Sequence, residues 1–248
     1  MSSSVLPARL ALPEPSRAAF LLDFDGTLVD IAPTPEGVVV PPGLAEALIR
    51  LRERCGDALA IVSGRPIAQI DGFLPGVPFA VAGEHGLAIR HEPDGEIERA
   101  TLPPLPQGWL DRADALIAAH PGARVERKHS GFVLHYRACP EAGGALEAAL
   151  RPLVDEAGGA FHLQAAKMAW EVRVSGIDKG SAVRALMARA PFTGRLPVFV
   201  GDDITDEDGI KEARATGGIG LRIPDDIPDP EVLRRWLHAL AEGSGWAG

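Results

Sequence analysis

The chain has very few cysteines. Its 248 residues include only Cys55 and Cys139, which is too few for a disulfide framework or a cysteine-rich metal site. Two isolated thiols are more typical of small buried side chains in a reducing compartment. The sequence therefore excludes a protein that is held together by disulfide bonds.

Long apolar runs and an excess of positive charge are also missing. No stretch approaches the roughly 18 apolar residues of a membrane-spanning helix, and prolines interrupt the segment Met1 to Arg17 where a signal peptide would lie. The formal net charge is −9, whereas nucleic acids and anionic membranes attract clustered lysine and arginine. We therefore expect a cytoplasmic protein with a small-molecule partner, which binds neither nucleic acid nor membranes.

The rest of the chain alternates short apolar runs with helical periods. Apolar runs predict strands at 18–22, 58–62, 79–82, 196–200 and 218–223. Helical spacing predicts helices at 42–54, 181–190, 207–215 and 230–241. The order strand, helix, strand is typical of a parallel α/β sheet. Separately, the dipeptide Asp94-Gly95 predicts a hairpin turn.

The middle of the chain has a different order of elements. It predicts helices at 109–120 and 141–156, and strands at 124–128, 132–137, 161–165 and 168–174. This pattern favours a small antiparallel sheet with helices on one face. We therefore predict an α/β fold: a Rossmann-like parallel-sheet core of residues 1–103 and 174–248, interrupted by an inserted α+β cap of residues 104–173.

Polar side chains follow the predicted core strands where each strand ends. These are Asp23, Asp25, Ser63, Asp202 and Asp203, and Lys179 precedes a predicted helix. Ligands of open α/β sheets bind at the carboxyl ends of the strands, so we expect these groups to meet there. Two unit charges 4 Å apart repel by about 4 kcal/mol at an effective dielectric near 20. A hard cation that prefers oxygen ligands, namely Mg²⁺, would remove this conflict and allow a phosphate to bind.

The pair Asp23 and Asp25 suits phosphate-ester hydrolysis. One carboxylate in line with phosphorus can attack it as a nucleophile, and the second can protonate the departing oxygen and then deprotonate water. Gly26 and Thr27 follow where backbone N–H groups must approach phosphate oxygens. Ser63 and Lys179 can bind the remaining oxygens and offset their charge.

These residues resemble the motifs of the haloacid-dehalogenase-type phosphohydrolases, in the same order and with the insert in the same place. The matching stretches are Asp23-Phe24-Asp25-Gly26-Thr27-Leu28, Ser63-Gly64-Arg65, Lys179-Gly180 and Gly201-Asp202-Asp203-Ile204-Thr205-Asp206-Glu207. Within that superfamily the chain is similar to the trehalose-6-phosphate phosphatases. The stretches that carry this likeness are Gly83-Glu84-His85-Gly86, Glu126-Arg127-Lys128, Gly131 to Arg137 and Trp170-Glu171-Val172-Arg173.

The resemblance implies a role for each matching residue. Asp23 is implied as the nucleophile and Asp25 as the general acid and base, with Lys179 assisting catalysis. The implied phosphate ligands are Gly26, Thr27, Ser63, Gly64 and Lys179. The implied Mg²⁺ ligands are Asp23, the backbone carbonyl of Asp25, and Asp202, supported by Asp203 and Asp206. In the cap, Glu126, Lys128 and Glu171 are implied to contact the sugar, and Arg127 and His129 add positive charge around Lys128.

Simpler interpretations of single residues stay open. Ser63 could cap a helix, Lys179 could be a surface lysine, and His85 could be either structural or in contact with substrate. The cap residues could form an exposed strand face with cross-strand ion pairs. The expected reaction is hydrolysis of trehalose 6-phosphate through an aspartyl phosphate. The alternatives are another sugar phosphate, such as sucrose phosphate or mannosyl-3-phosphoglycerate, and a non-catalytic sugar-phosphate sensor.

Overall fold

The computed structural model describes residues 12–32, 34–128 and 131–246. It divides the chain into two compact units. The first, called here the core unit, comprises Met1–Ala100 and Ile177–Gly248, and the second, the insert unit, comprises Thr101–Gly176.

The core unit is built on a seven-stranded sheet. Its strands are β1 (Ala18–Leu22), β2 (Leu59–Val62), β3 (Ala80–Gly83), β4 (Ala88–Arg90), β5 (Ile97–Arg99), β10 (Leu196–Gly201) and β11 (Ile219–Arg222). Its helices are α1 (Leu44–Arg54), α2 (Ile67–Phe73), α5 (Lys179–Met187), α6 (Glu207–Ala215) and α7 (Pro230–Ala241). The strand order is β11-β10-β1-β2-β3-β4-β5. The first five strands of this order are parallel, and β4 and β5 are antiparallel additions at one edge.

Strand β1 lies in the middle of this sheet and explains its apolar sequence. Phe20 is paired with Val198 of β10 on one side and with Leu59 of β2 on the other. All five residues of β1 are buried, because a parallel strand with helices on both faces of the sheet has no side that meets water. The predicted parallel α/β core is confirmed.

The structure adds to the predicted core elements and shifts some of their ends. Helix α2 was not predicted, because it has seven residues and buries only Ile67 and Ile70, which is too few to show a helical period. Helix α5 was predicted to begin at 181, but it begins at Lys179 and ends at Met187. The hairpin at Asp94-Gly95 is confirmed by the antiparallel pairing of Arg90 with Ile97.

The insert unit has two helices on one face of an antiparallel sheet. Its elements are α3 (Trp109–Ala119), β6 (Arg124–Lys128), β7 (Gly131–His135), α4 (Gly143–Glu156), β8 (Phe161–Ala166) and β9 (Ala169–Val174). The strand order is β6-β7-β9-β8, with every neighbouring pair antiparallel. This confirms the predicted small antiparallel sheet.

Both helices of the insert unit touch the same sheet face. The indole of Trp170 donates to the carbonyl of Gly143 in α4 at 2.8 Å, and Arg127 pairs with Asp114 in α3 at 2.6 Å. Trp170 and Arg127 belong to the same face by register and by the two-residue period of a strand. The expectation that Arg127 adds charge around Lys128 is therefore wrong, because neighbouring side chains of a strand point to opposite faces. His129, the other residue expected to add positive charge around Lys128, lies outside the described residues.

Cys55 and Cys139 are both buried free thiols, as expected. In the described part of the chain, no helix combines the length and the apolar character needed to cross a bilayer.

Candidate active site

The polar residues predicted to meet at the sheet edge do meet there. A cavity of about 460 Å³ opens at the carboxyl ends of β1, β2 and β10. The predicted residues that line it are Asp23, Asp25, Ser63, Gly64, Lys179, Asp202, Asp203 and Asp206. Parallel strands present their carboxyl ends at one edge, which is why residues as far apart in sequence as Asp23 and Asp206 converge.

Lys179 is buried between two carboxylates. Its Nζ lies 2.6 Å from an oxygen of Asp23 and 2.6 Å from an oxygen of Asp206. Asp178 caps α5 by accepting from the backbone N–H of Ser181, which fixes Lys179 as the first residue of the helix. Burial alone would lower the pKa of Lys179, but the charges of Asp23 and Asp206 raise it above its ordinary value. The interpretation of Lys179 as a surface lysine is therefore wrong.

Three carboxylates cluster around this lysine. Oxygens of Asp23, Asp202 and Asp206 all lie within 4.8 Å of one another. Burial and the charge of Asp23 raise the pKa of Asp202 to about 6 and that of Asp206 to about 7. One lysine cannot neutralise three carboxylates, so the cluster retains a negative charge that a hard cation would balance. The oxygen-only donor set fits a magnesium or calcium ion better than a softer metal.

Thr27 and Gly26 shape the floor of the cluster. The buried hydroxyl of Thr27 lies 3.0 Å from Asp23 Oδ2 and 3.2 Å from Asp202 Oδ1. Gly26 has a φ of +74°, and a Cβ at this position would lie 2.2 Å from Asp202 Oδ2. A side chain here would meet both backbone strain and a collision. The glycine therefore lets the backbone after β1 approach the carboxylates closely.

Ser63 and Gly64 form the wall that follows β2. Ser63 is 1% exposed, and its hydroxyl accepts from the backbone N–H of Arg65 at 3.2 Å. The serine thus closes a local turn, and it does not cap a helix, because the next helix, α2, begins at Ile67 after the N-cap residue Pro66. A Cβ on Gly64 would lie 2.6 Å from the imidazole of His85, so the absence of a side chain lets His85 pack against this turn.

Arg65 is a residue of the site to which the sequence analysis gave no role. Its guanidinium forms a two-pronged ion pair with Asp25, with Nε to Oδ2 at 2.6 Å and Nη2 to Oδ1 at 2.7 Å. It also lies over the rings of Phe24 and Phe73, 5.7 and 5.2 Å from their centroids. The hydrogen bond to Asp25 is the main cause that raises the pKa of Arg65. The only sequence signal was the position of Arg65 after Ser63-Gly64 at the end of a strand.

Asp203 and Asp206 differ in what they contact. The Asp203 side chain accepts from the backbone N–H of Ile204 at 2.7 Å and is exposed. Asp206 is fully buried, and its Oδ2 accepts from the backbone N–H of Asp203 at 3.0 Å. These reciprocal bonds cap the short turn Ile204–Asp206. The turn places the Asp206 carboxylate within the cluster, while that of Asp203 lies outside it.

The predicted sugar-contacting residues lie together on the insert unit. Lys128 Nζ is 2.9 Å from Glu171 Oε1, and His135 Nε2 is 2.9 Å from Glu126 Oε2. All four side chains are on the sheet face opposite α3 and α4. These are cross-strand pairs of the kind an exposed strand face makes, and the same groups are suited to binding hydroxyls.

Comparison with known proteins decides the family. A family model described as trehalose-phosphatase matches residues 21–229. The chain belongs to the trehalose-phosphatase family. A curated trehalose-6-phosphate phosphatase of Escherichia coli is 37% identical over 209 residues, covering 84% of this chain and 78% of the relative.

Solved structures give the fold of this family member. A trehalose-6-phosphate phosphatase of Aspergillus fumigatus aligns with a TM-score of 0.69 and 22% identity, over 92% of this chain and 93% of the other. A haloacid dehalogenase-like hydrolase of Bacteroides thetaiotaomicron aligns with a TM-score of 0.57 and 15% identity, over 88% and 99%. The core unit therefore has the haloacid-dehalogenase fold predicted from the sequence motifs.

Proposed function

We propose that this protein hydrolyses trehalose 6-phosphate to trehalose and phosphate through an aspartyl phosphate. The observation that carries the proposal is the cluster of buried Asp23, Lys179 and Asp206 with half-buried Asp202 at the sheet edge, in a chain whose trehalose-phosphatase match spans residues 21–229. The cluster combines a carboxylate fixed by a lysine with oxygen ligands for a cation, as phosphoryl transfer to an aspartate requires.

In the first step an oxygen of Asp23 attacks phosphorus while the bond from phosphorus to the sugar oxygen breaks. Asp25 gives its proton to that departing oxygen, which leaves as a hydroxyl group of trehalose. In the second step water attacks the phosphorus of the aspartyl phosphate, the bond between phosphorus and the Asp23 oxygen breaks, and Asp25 takes one proton of that water. Phosphate leaves, and the Asp23 carboxylate is regenerated. Because Arg65 now engages both oxygens of Asp25, this ion pair must loosen before Asp25 can donate.

The phosphate group is held by the backbone of Gly26 and Gly64, the hydroxyls of Thr27 and Ser63, and Lys179. Donors at these positions offset the negative charge that builds up on the phosphate oxygens.

Asp23, the backbone carbonyl of Asp25, and Asp202 would hold Mg²⁺, with Asp203 and Asp206 in support. The ion supplies positive charge that lets a dianionic phosphate approach these carboxylates.

Residues 104–173 act as the substrate-specificity cap domain, and residues 1–103 and 174–248 form the catalytic core. Glu126, Lys128 and Glu171 contact hydroxyl groups of the sugar, because hydroxyls are selected by hydrogen bonds whose loss leaves polar groups unpaired.

We place the protein in the cytoplasm, where a reducing environment suits its two buried free thiols.

The test is phosphate release from a panel of phosphorylated sugars with Mg²⁺. We expect kcat/KM to be highest for trehalose 6-phosphate, and Asp23→Asn to abolish turnover in a protein that still folds. Asp225→Asn is the matched control, because this side chain is 70% exposed and does not line the cavity.

Three outcomes would contradict the proposal. Preference for sucrose phosphate or mannosyl-3-phosphoglycerate would reject the substrate. Tight binding of trehalose 6-phosphate without phosphate release would identify a sensor. Retained turnover in Asp23→Asn would reject the nucleophile.

A further inference from the structure

The polar sheet face of the insert unit extends beyond the residues proposed to contact sugar. Glu126, Glu171 and Gln164 fall in one register row across the sheet. Lys128 and Arg173 stand two residues further along the strands of Glu126 and Glu171, and side chains two apart share a face. Arg173 and Gln164 are therefore neighbours of the proposed sugar-binding groups.

Two cations lie near one carboxylate oxygen of Glu171: Lys128 donates a hydrogen bond to it, and Arg173 acts on it through its charge. Glu171 Oε1 accepts from Lys128 Nζ at 2.9 Å, and Arg173 Nε lies 4.0 Å from the same oxygen. The Lys128 side chain is 45% exposed and that of Arg173 only 16%, so Arg173 is the better shielded cation. Within the described residues, no hydrogen bond reaches Glu171 Oε2.

Arg173 is itself fixed by an uncharged partner. Its Nη1 donates to Gln164 Oε1 at 2.9 Å. A neutral amide orients the guanidinium without cancelling its charge, so the charge still acts on Glu171. The result is a continuous chain from Gln164 through Arg173 and Glu171 to Lys128.

We propose that Arg173, oriented by Gln164, is a positioning residue for Glu171 in sugar recognition. Its charge stabilises the carboxylate in the orientation in which Lys128 bonds Oε1, and Oε2 is left to accept a hydrogen bond from a sugar hydroxyl. A carboxylate fixed in this way loses less side-chain freedom when the sugar binds than one paired only with an exposed lysine. This inference rests on the proposed function, in which Glu171 contacts the sugar.

The test compares Arg173→Met with the unchanged protein on trehalose 6-phosphate and on p-nitrophenyl phosphate. We expect KM for the sugar phosphate to rise about tenfold, equivalent to about 1.4 kcal/mol, with kcat changed less than twofold. KM for the aryl phosphate should not change, because that substrate has no sugar to contact. Arg173→Lys should restore part of the loss, because it returns a cation to the same strand position.

Arg127→Met is the matched control. It removes an arginine of the same unit that pairs with Asp114 on the opposite sheet face, so KM for the sugar phosphate should stay unchanged. Gln164→Leu provides a second variant that keeps Arg173 in place. We expect it to raise KM about threefold, corresponding to about 0.6 kcal/mol.

An unchanged KM in both Arg173→Met and Gln164→Leu would overturn the role of Arg173, and so would equal losses on the two substrates. If Arg173→Met fails to fold, Gln164→Leu and Arg173→Lys are compared with the unchanged protein instead, by their KM for trehalose 6-phosphate and for p-nitrophenyl phosphate. Absence of trehalose 6-phosphate turnover in the unchanged protein would overturn the proposed function as well. Normal turnover of the unchanged protein, with an unchanged KM in both variants, would overturn only this inference.

Discussion

Replacing Lys179 by methionine tests how the carboxylate cluster is balanced. Methionine keeps much of the length of the side chain but removes the charge that lies 2.6 Å from both Asp23 and Asp206. At an effective dielectric near 20, each contact at this distance corresponds to about 6 kcal/mol of Coulomb attraction. Dehydration of the buried charges offsets most of this, and breaking a buried ion pair typically costs about 3–5 kcal/mol.

We expect Lys179→Met to lower the free energy of unfolding by about 3 kcal/mol in EDTA at pH 7.5, the lower end of the range for a broken buried ion pair. The loss of stability is at that end because the raised pKa values of Asp202 and Asp206 allow them to take up protons and relieve part of the repulsion. Urea unfolding measures the cost. Lys211→Met, which removes an exposed lysine of α6, is the control and should change it by less than about 0.5 kcal/mol.

A double-mutant cycle with Asp206→Asn gives the decisive comparison. In the Asp206→Asn background, a neutral amide has replaced one of the two carboxylates that pair with Lys179. Lys179→Met should therefore lower the free energy of unfolding by about half as much as in the unchanged protein. Equal costs in both backgrounds would refute the argument that Lys179 balances this cluster. Phosphate release by Lys179→Met should also fall by at least about a hundredfold, because the phosphate oxygens lose a counter-charge.

Two further predictions concern the same site. Gly26→Ala should reduce phosphate release at least about a hundredfold and stability by about 1–2 kcal/mol, because its Cβ would lie 2.2 Å from Asp202 at a φ of +74°; normal activity would show that the close approach is unnecessary. Asp202 and Asp206 have pKa values of about 6 and 7, raised above 3.8, so their contribution to metal-free stability is present at low pH and is lost as pH rises to 7. Mg²⁺ binds the deprotonated carboxylates, and the rise in Tm on adding Mg²⁺ should therefore be larger at pH 7.5 than at pH 5; a pH-independent rise would contradict this.

Much of the core could be predicted because its signals are local. The apolar run that forms β1 and the spacing of Leu44, Leu48 and Leu51 in α1 each reflect burial within one element. The carboxylates follow the strands directly, so the topology alone brings Asp23 and Asp202 together. Helix α2 escaped prediction because seven residues with two buried isoleucines do not display a period.

The sequence by itself determined the parallel core, the antiparallel insert and the meeting of carboxylates at one sheet edge, because periodicity and chain order depend on neighbours along the chain. Only the tertiary structure decided which side chains pair: Arg65 with Asp25, Lys179 with Asp206, and Arg173 with Gln164. The sheet register likewise decided that Arg127 faces α3. Such pairings depend on distances between atoms from separate segments, and no local pattern encodes those distances.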